Sequence, residues 1–166
     1  RDAVTALFPL AYTLKFASRE ELGIDTVVMP LEGLWHADDM DAFTSRRDKT
    51  AWLWTLMIMV PDHVTADMFA ASVDRVSARM AKKRESTAAL EKLRLETLEE
   101  GTCVQVLHVG SYDDEAPVLD DLHTRFIPDS GLQMRARHHE IYLSDARRVD
   151  PSRLRTILRQ PVSRVD

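Results

Sequence analysis

His138-His139-Glu140-Ile141-Tyr142-Leu143-Ser144-Asp145, HHEIYLSD, is a β-rich run with a carboxylate at its centre. Side chains alternate along a strand, so His138, Glu140 and Tyr142 share one face while His139, Ile141 and Leu143 take the other. The second set reads as core. The first holds an ionisable group between an imidazole and a phenol, and a lone carboxylate is strongly disfavoured in a dry interior. Such a strand either lines a cavity or ties its carboxylate to a neighbouring Arg, Tyr or backbone amide.

The flanking sequence builds a module around this strand. Upstream, LRLETLEEGTCVQVLHVG reads as a hairpin turning at Glu99-Glu100-Gly101. Tyr112 follows in HVGSYDDE, where Gly110 permits a sharp strand exit and Asp113 or Asp114 can cap the next helix. Asp114 to Ile127 has helical spacing, with Leu119, Leu122 and Phe126 inward, and the Pro128 to Gly131 segment breaks it. Downstream, ARRVDPSRL connects to a last short strand near RTILRQPV.

The first half of the chain has the same order of elements. RDAVTALFPLAYTLKFASREE places Val4, Leu7, Ala11 and Leu14 at helical spacing, with Pro9 at a kink or at the first turn of a shortened helix. A β-rich segment, TVVMPLEGLWH, then an Asp/Arg-rich connection and the apolar run AWLWTLMIMVP predict two adjacent strands. Pro61 to Glu85 is the clearest helix: Thr65 is its N-cap, and Phe69, Val73, Val76 and Met80 recur at spacings of four, three and four. Its terminal Lys82-Lys83-Arg84 suits the negative end of the helix dipole and reads as a solvated terminus. Helix, strand, polar connection and proline-ended apolar strand thus occur before residue 61 and again from about 114 to 161. This repeat of element order predicts an α+β fold of two similar modules whose antiparallel sheets meet, with helices on one side. We place module one at about 1–61, a linking helix at about 62–85 and module two at about 92–166, within a single domain of 1–166. The second module has a leading strand, 102–109, without a counterpart in the first, so either a strand ahead of Arg1 or a truncated first module is expected.

Composition narrows the function. The chain has 166 residues, 45% hydrophobic and 30% charged, which suits a globular domain with a real core. A net charge of -5 lacks the basic face that phosphate contact needs, so no direct nucleic-acid partner is expected. The longest apolar run, Leu56 to Val60, is strand-sized, and neither a membrane span nor a leader peptide is read. One cysteine, Cys103, reads as a small buried hydrophobe in a chain suited to a reducing cytoplasm. The six histidines lack metal-ligand spacing with a carboxylate, so no metal is expected. There is no P-loop, dinucleotide glycine fingerprint or serine nucleophile elbow.

Aromatic residues supply a second signal. Trp35, Trp52 and Trp54 lie within about twenty residues. Strand aromatics usually fill core, but three beside polar loops can form a flat wall for a planar ligand. Glu32 is a second mid-strand carboxylate, which can pair with Arg or face the same cavity as Glu140. Tyr12, on the opening helix, joins the candidate ligand-binding set with Trp35, Trp54, Glu32, Tyr142 and His138.

VVMPLEGLWH, WTLMIMVPD, CVQVLHVGSYDDE and RHHEIYLSDARR resemble the GyrI-like small-molecule-binding proteins over nearly the whole chain, in particular their stand-alone branch. The resemblance implies two strand-helix-strand-strand modules related by a pseudo-twofold, with a ligand cleft between them. It implies that Glu140 is the cleft glutamate that binds cationic or planar aromatic ligands, that Tyr112 is the tyrosine of the G-x-Y segment and that Trp35 is the tryptophan of the EGLW segment. Some stand-alone members hydrolyse the cyclopropane ring of genotoxic cyclopropanoid natural products, of the yatakemycin and duocarmycin type. By that resemblance the expected activity is cyclopropyl hydrolysis giving self-resistance or detoxification, with Glu140 as general base, Tyr112 or Tyr142 as oxyanion donor, and no cofactor. The alternatives are a non-catalytic protein that sequesters or senses small molecules and, more weakly, a gyrase-modulating protein. His138 is expected to support the carboxylate and His139 to be structural.

Overall fold

Pro9 does not break the first helix. The computed structural model describes residues 2–36 and 53–165, and α1 runs unbroken over Asp2–Leu22 with Pro9 inside it. Proline removes one amide donor from the helical ladder. The helix persists because its apolar stripe is buried: Ala6, Leu10 and Leu14 pack with Val64, Val76, Met80 and Leu90. Val76 and Met80 lie on α2 (Ala66–Lys82), whose Thr65 N-cap accepts from the Met68 amide at 3.2 Å. Together these helices form the core of one compact unit, Arg1–Pro30 with Leu56–Leu98.

The other unit comprises Leu31–Thr55 with Glu99–Asp166. The expected first module, about 1–61, thus contributes residues to both units. The second unit is built on an antiparallel sheet of β1 (Leu31–His36), β3 (Cys103–Val109), β4 (Leu132–Met134), β5 (His138–Tyr142) and β6 (Arg155–Arg164). The first residues of β2 (Leu53–Ile58) also belong to this unit. Strand order is β2-β1-β5-β6-β3, with β4 on β6. β6 is therefore central, and its even-numbered residues Thr156, Leu158, Gln160 and Val162 are each 2% exposed or less.

Three sequence expectations change here. No strand forms over Leu93 to Leu98, so the expected hairpin at Glu99-Glu100-Gly101 is absent; β3 takes β6 as its partner instead. Leu143 lies beyond the end of β5 and is 42% exposed, not core. Phe126 is 47% exposed, and Ile127, at 1%, holds the inward position expected for it. The cause is local: α3 (Ala116–Asp121) runs into a π turn, Leu122–Phe126, in which the Ile127 amide bonds the Leu122 carbonyl. A π turn inserts one residue into the helical period. The inward phase passes to Ile127, which packs with Leu122 and Val162 against Val104, Val106 and Leu132.

Ile127→Ala is therefore expected to cost about 2–5 kcal/mol of unfolding free energy, as buried large-to-small changes do. Phe126→Ala, at a half-exposed position, is expected to cost clearly less, and urea denaturation of both variants measures the difference.

Candidate functional site

β1 and β5 place the candidate residues by their register. Leu31 lies opposite Tyr142, Gly33 opposite Glu140 and Trp35 opposite His138. Directly opposed residues of antiparallel strands share a face. Trp35, Glu140, Tyr142 and His138 thus project from one side of the sheet. That side also carries Leu158 and Thr156 of β6, opposite Glu140 and Tyr142.

These side chains are linked. The Trp35 indole Nε1 donates to the Tyr142 hydroxyl oxygen at 3.1 Å, and that hydroxyl donates to Glu140 Oε2 at 2.7 Å. Gly33 makes room for the chain of donors, because a Cβ there would stand 2.9 Å from Trp35 Nε1 and 3.1 Å from the Tyr142 hydroxyl. Tyr112, in the 3-10 turn Tyr112–Glu115, meets the Tyr142 ring edge-on at 5.7 Å. Burial and the nearby carboxylates, Glu140 among them, push both phenols above their ordinary values, Tyr142 by far the more. Both therefore stay protonated donors at neutral pH. The Glu140 side chain is 13% exposed, enough to touch solvent or a ligand.

Behind the carboxylate stand two histidines. His138 Nε2 lies 3.5 Å from Glu140 Oε1, within ion-pair range but without hydrogen-bond alignment. The His123 ring, on the π turn, meets the His138 ring edge-on at 6.0 Å. Burial, reinforced by the neighbouring His138, lowers the His123 pKa to about 4, so this imidazole is neutral at physiological pH.

The opposite side of the sheet is polar where the sequence suggested core. His139, 1% exposed, lies 2.8 Å from Glu32 Oε2 through Nε2 and 2.9 Å from Glu100 Oε1 through Nδ1. Arg159 Nη1 donates to Glu100 Oε2 at 3.0 Å, and Arg159 Nε to Gln105 Oε1 at 3.0 Å. Glu32 therefore does not face the same cavity as Glu140: strand alternation puts it on the other side, paired with His139 rather than with an arginine. Trp54 is 52% exposed on β2. Tyr12 belongs to the helical unit and is half-exposed there, and Trp52 lies outside the described residues. Cys103 is only half-buried, and burial and Glu100 raise its thiol pKa. Among the described residues no cluster of His, Cys, Asp or Glu is arranged to hold a metal. Sequence reading missed Glu100 and His123. Glu100 sits in an irregular segment whose partners are 39 and 59 residues away, and His123 is buried on a turn whose pitch departs from the α-helical period.

The GyrI-like small molecule binding domain matches residues 8–163. The chain belongs to this family. An uncharacterized conserved protein from Listeria innocua is 36% identical, with 98% of this chain and 79% of that one aligned at a TM-score of 0.81. A hydrolase from Listeria innocua is 35% identical over 98% of this chain and 78% of its own, at a TM-score of 0.76. No curated protein matches. Among the described residues of this GyrI-like chain no helix is long and apolar enough to cross a membrane.

Two outcomes follow from the geometry. Gly33→Ala is expected to displace the Trp35 indole from Tyr142, costing about 1–3 kcal/mol as overpacking does and shifting tryptophan fluorescence. Because folding depresses the His123 pKa, the neutral ring's contribution is complete above pH 6.5 and is lost as pH falls through about 4. That loss is on the order of 3 kcal/mol. Thermal denaturation from pH 7 to 4 should show the decline, and His123→Phe should flatten it.

Proposed function

We propose that this chain is a hydrolase that opens the strained ring of activated cyclopropanes, such as cyclopropanoid alkylators of the yatakemycin and duocarmycin type, and thereby detoxifies them. The observation that carries this reading is the Trp35 to Tyr142 to Glu140 hydrogen-bonded chain, which aims a partly exposed carboxylate beside aromatic rings. Family membership supports a small-molecule ligand, and a structural neighbour named as a hydrolase supports water as the second reactant.

A cyclopropane conjugated to a dienone is already electrophilic, because opening it sends an electron pair into an aromatising phenolate. Water attacks the ring carbon, and the carbon–carbon bond breaks with its electron pair passing into the phenolate. The water's second proton leaves to the base and the phenolate takes up a proton from solvent, so the product has gained one water. Glu140 takes the proton from the attacking water on Oε1, since Oε2 is held by the Tyr142 hydroxyl. Tyr142 has both its donor and its acceptor in use, so it positions the base. Tyr112, 38% exposed beside it, is the phenol that donates to the developing oxyanion, a contact typically worth about 3 kcal/mol. Trp35, with Trp54 as a second surface, stacks on the flat ligand.

Incubation with such a compound should yield a product one water heavier by mass spectrometry. Glu140→Gln, which keeps the shape but not the base, is expected to lower turnover by about 100-fold or more; full turnover in that variant would sink the assignment. The aromatic-flanked carboxylate equally suits a planar cation. Tight cation binding without turnover, lost in Glu140→Gln, would establish a sequestering protein instead.

A further inference from the structure

The layer between the sheet and the α3 segment holds polar atoms that the proposed reaction does not use. His123, His138, Thr156 and Gln160 are 9%, 2%, 1% and 0% exposed. His123 Nε2, both ring nitrogens of His138, Thr156 Oγ1 and Gln160 Oε1 have no hydrogen-bond partner among the described residues. A buried polar group without a partner is costly, so several in one layer are a standing demand for a polar guest. Three of these residues lie together. The β5–β6 register carried one residue further sets Gln160 beside His138, whereas Thr156 stands apart, opposite Tyr142 and beyond Leu158. His123 meets the His138 ring from the π turn.

The orientation of Gln160 is held from outside. Its Nε2 donates to the Arg135 and Pro161 carbonyls at 3.0 and 3.1 Å, so Oε1 is left as an acceptor. His123, neutral after burial, presents a ring nitrogen without a charge. The set combines an amide and two imidazoles, and such groups in a buried site suit water, which bridges two to four polar partners. Among the described residues the carboxylate in ion-pair range of His138 is Glu140, 3.5 Å from Nε2, and the buried Glu115 carboxylate lies close enough to help raise the Tyr112 and Tyr142 pKa values.

We propose that His138, His123 and Gln160 form a buried water site behind Glu140, through which His138 carries away the proton that Glu140 takes from the attacking water. This rests on the reading of Glu140 as the base. The steps balance over a full cycle. Glu140 and His138 close from 3.5 Å to hydrogen-bonding distance, and protonated Glu140 passes its proton from Oε1 to the lone pair of His138 Nε2, which regenerates the carboxylate and makes an imidazolium. The imidazolium releases its Nδ1 proton to the water held beside His123 and Gln160, and that water passes it on to solvent. The ring, held by no hydrogen bond among the described residues, then turns over to present its bare nitrogen to Glu140 again. Among the described residues, the titratable groups in contact with His138 are Glu140 on its own strand and His123 on the π turn. Tyr142 lies next beyond Glu140 and stays protonated.

The test has two arms on the full chain. In kinetics with a neutral cyclopropyl dienone, His138→Gln and His138→Asn mimic the Nε2 and Nδ1 positions respectively but cannot relay a proton. Both are expected to lower kcat by about tenfold or more with KM within about twofold, and to change the solvent deuterium isotope effect on kcat. If either variant retains the wild-type kcat and isotope effect, His138 is a structural hydrogen-bonding residue and the relay is overturned. The second arm needs no activity. A high-resolution crystal structure is expected to show ordered water within hydrogen-bonding distance of His138 Nδ1, and His123→Phe to expel it. A dry layer overturns the proposal even if Glu140 proves to be the base; ordered water in a chain without turnover fails the hydrolase reading while leaving the water site standing.

Discussion

The pairing of β1 with β5 is the constraint on which the candidate site depends. Its register sets Gly33 against Glu140, and the missing side chain at that point lets the Trp35 indole and the Tyr142 hydroxyl meet above the glutamate. Because side chains alternate strictly, a slip of one residue would send Glu140 to the other side of the sheet and bring His139 in its place. Both sides of β5 are polar, so hydrophobic patterning alone specifies this register weakly. His139 supplies what patterning lacks: clamped between Glu32 of β1 and Glu100, it can reach both carboxylates only in the observed alignment.

The two polar systems on β5 differ in kind. The Glu32–His139–Glu100–Arg159 network has each of its ionisable members facing an opposite or complementary group, which is how a buried charge becomes tolerable. The Glu140 system is open. Its carboxylate retains some exposure, one oxygen is held by a phenol, and the imidazoles behind it have nitrogens without partners among the described residues. A closed network is a structural device, whereas an open one can exchange protons or accept a ligand. This contrast separates the proposed base, Glu140, from Glu32, whose carboxylate is tied into the sheet.

Much of this was legible before folding. Alternation in HHEIYLSD singled out Glu140, His138 and Tyr142 as one face, and Thr65 and the stripe ending at Met80 predicted α2 with its cap. These readings rest on local periods and local hydrogen bonds. Where non-local partners decided, reading along the chain went astray. Leu93 to Leu98 looked like a strand, but β3 found its partner in β6, about fifty residues later. Phe126 looked inward by a period of 3.6, but a single π turn handed that place to Ile127.

The sequence by itself determined the α+β class, the α2 helix and the identity of the strand that bears the glutamate, because propensity, capping and alternation act between residues a few positions apart. The tertiary structure alone decided which groups surround that glutamate. Trp35 lies 107 residues from Tyr142, and Glu32 the same distance from His139, so only the β1–β5 register could bring each pair together. Side-chain hydrogen bonds of a few ångströms have no signature along a chain; they exist only once the strands are laid side by side.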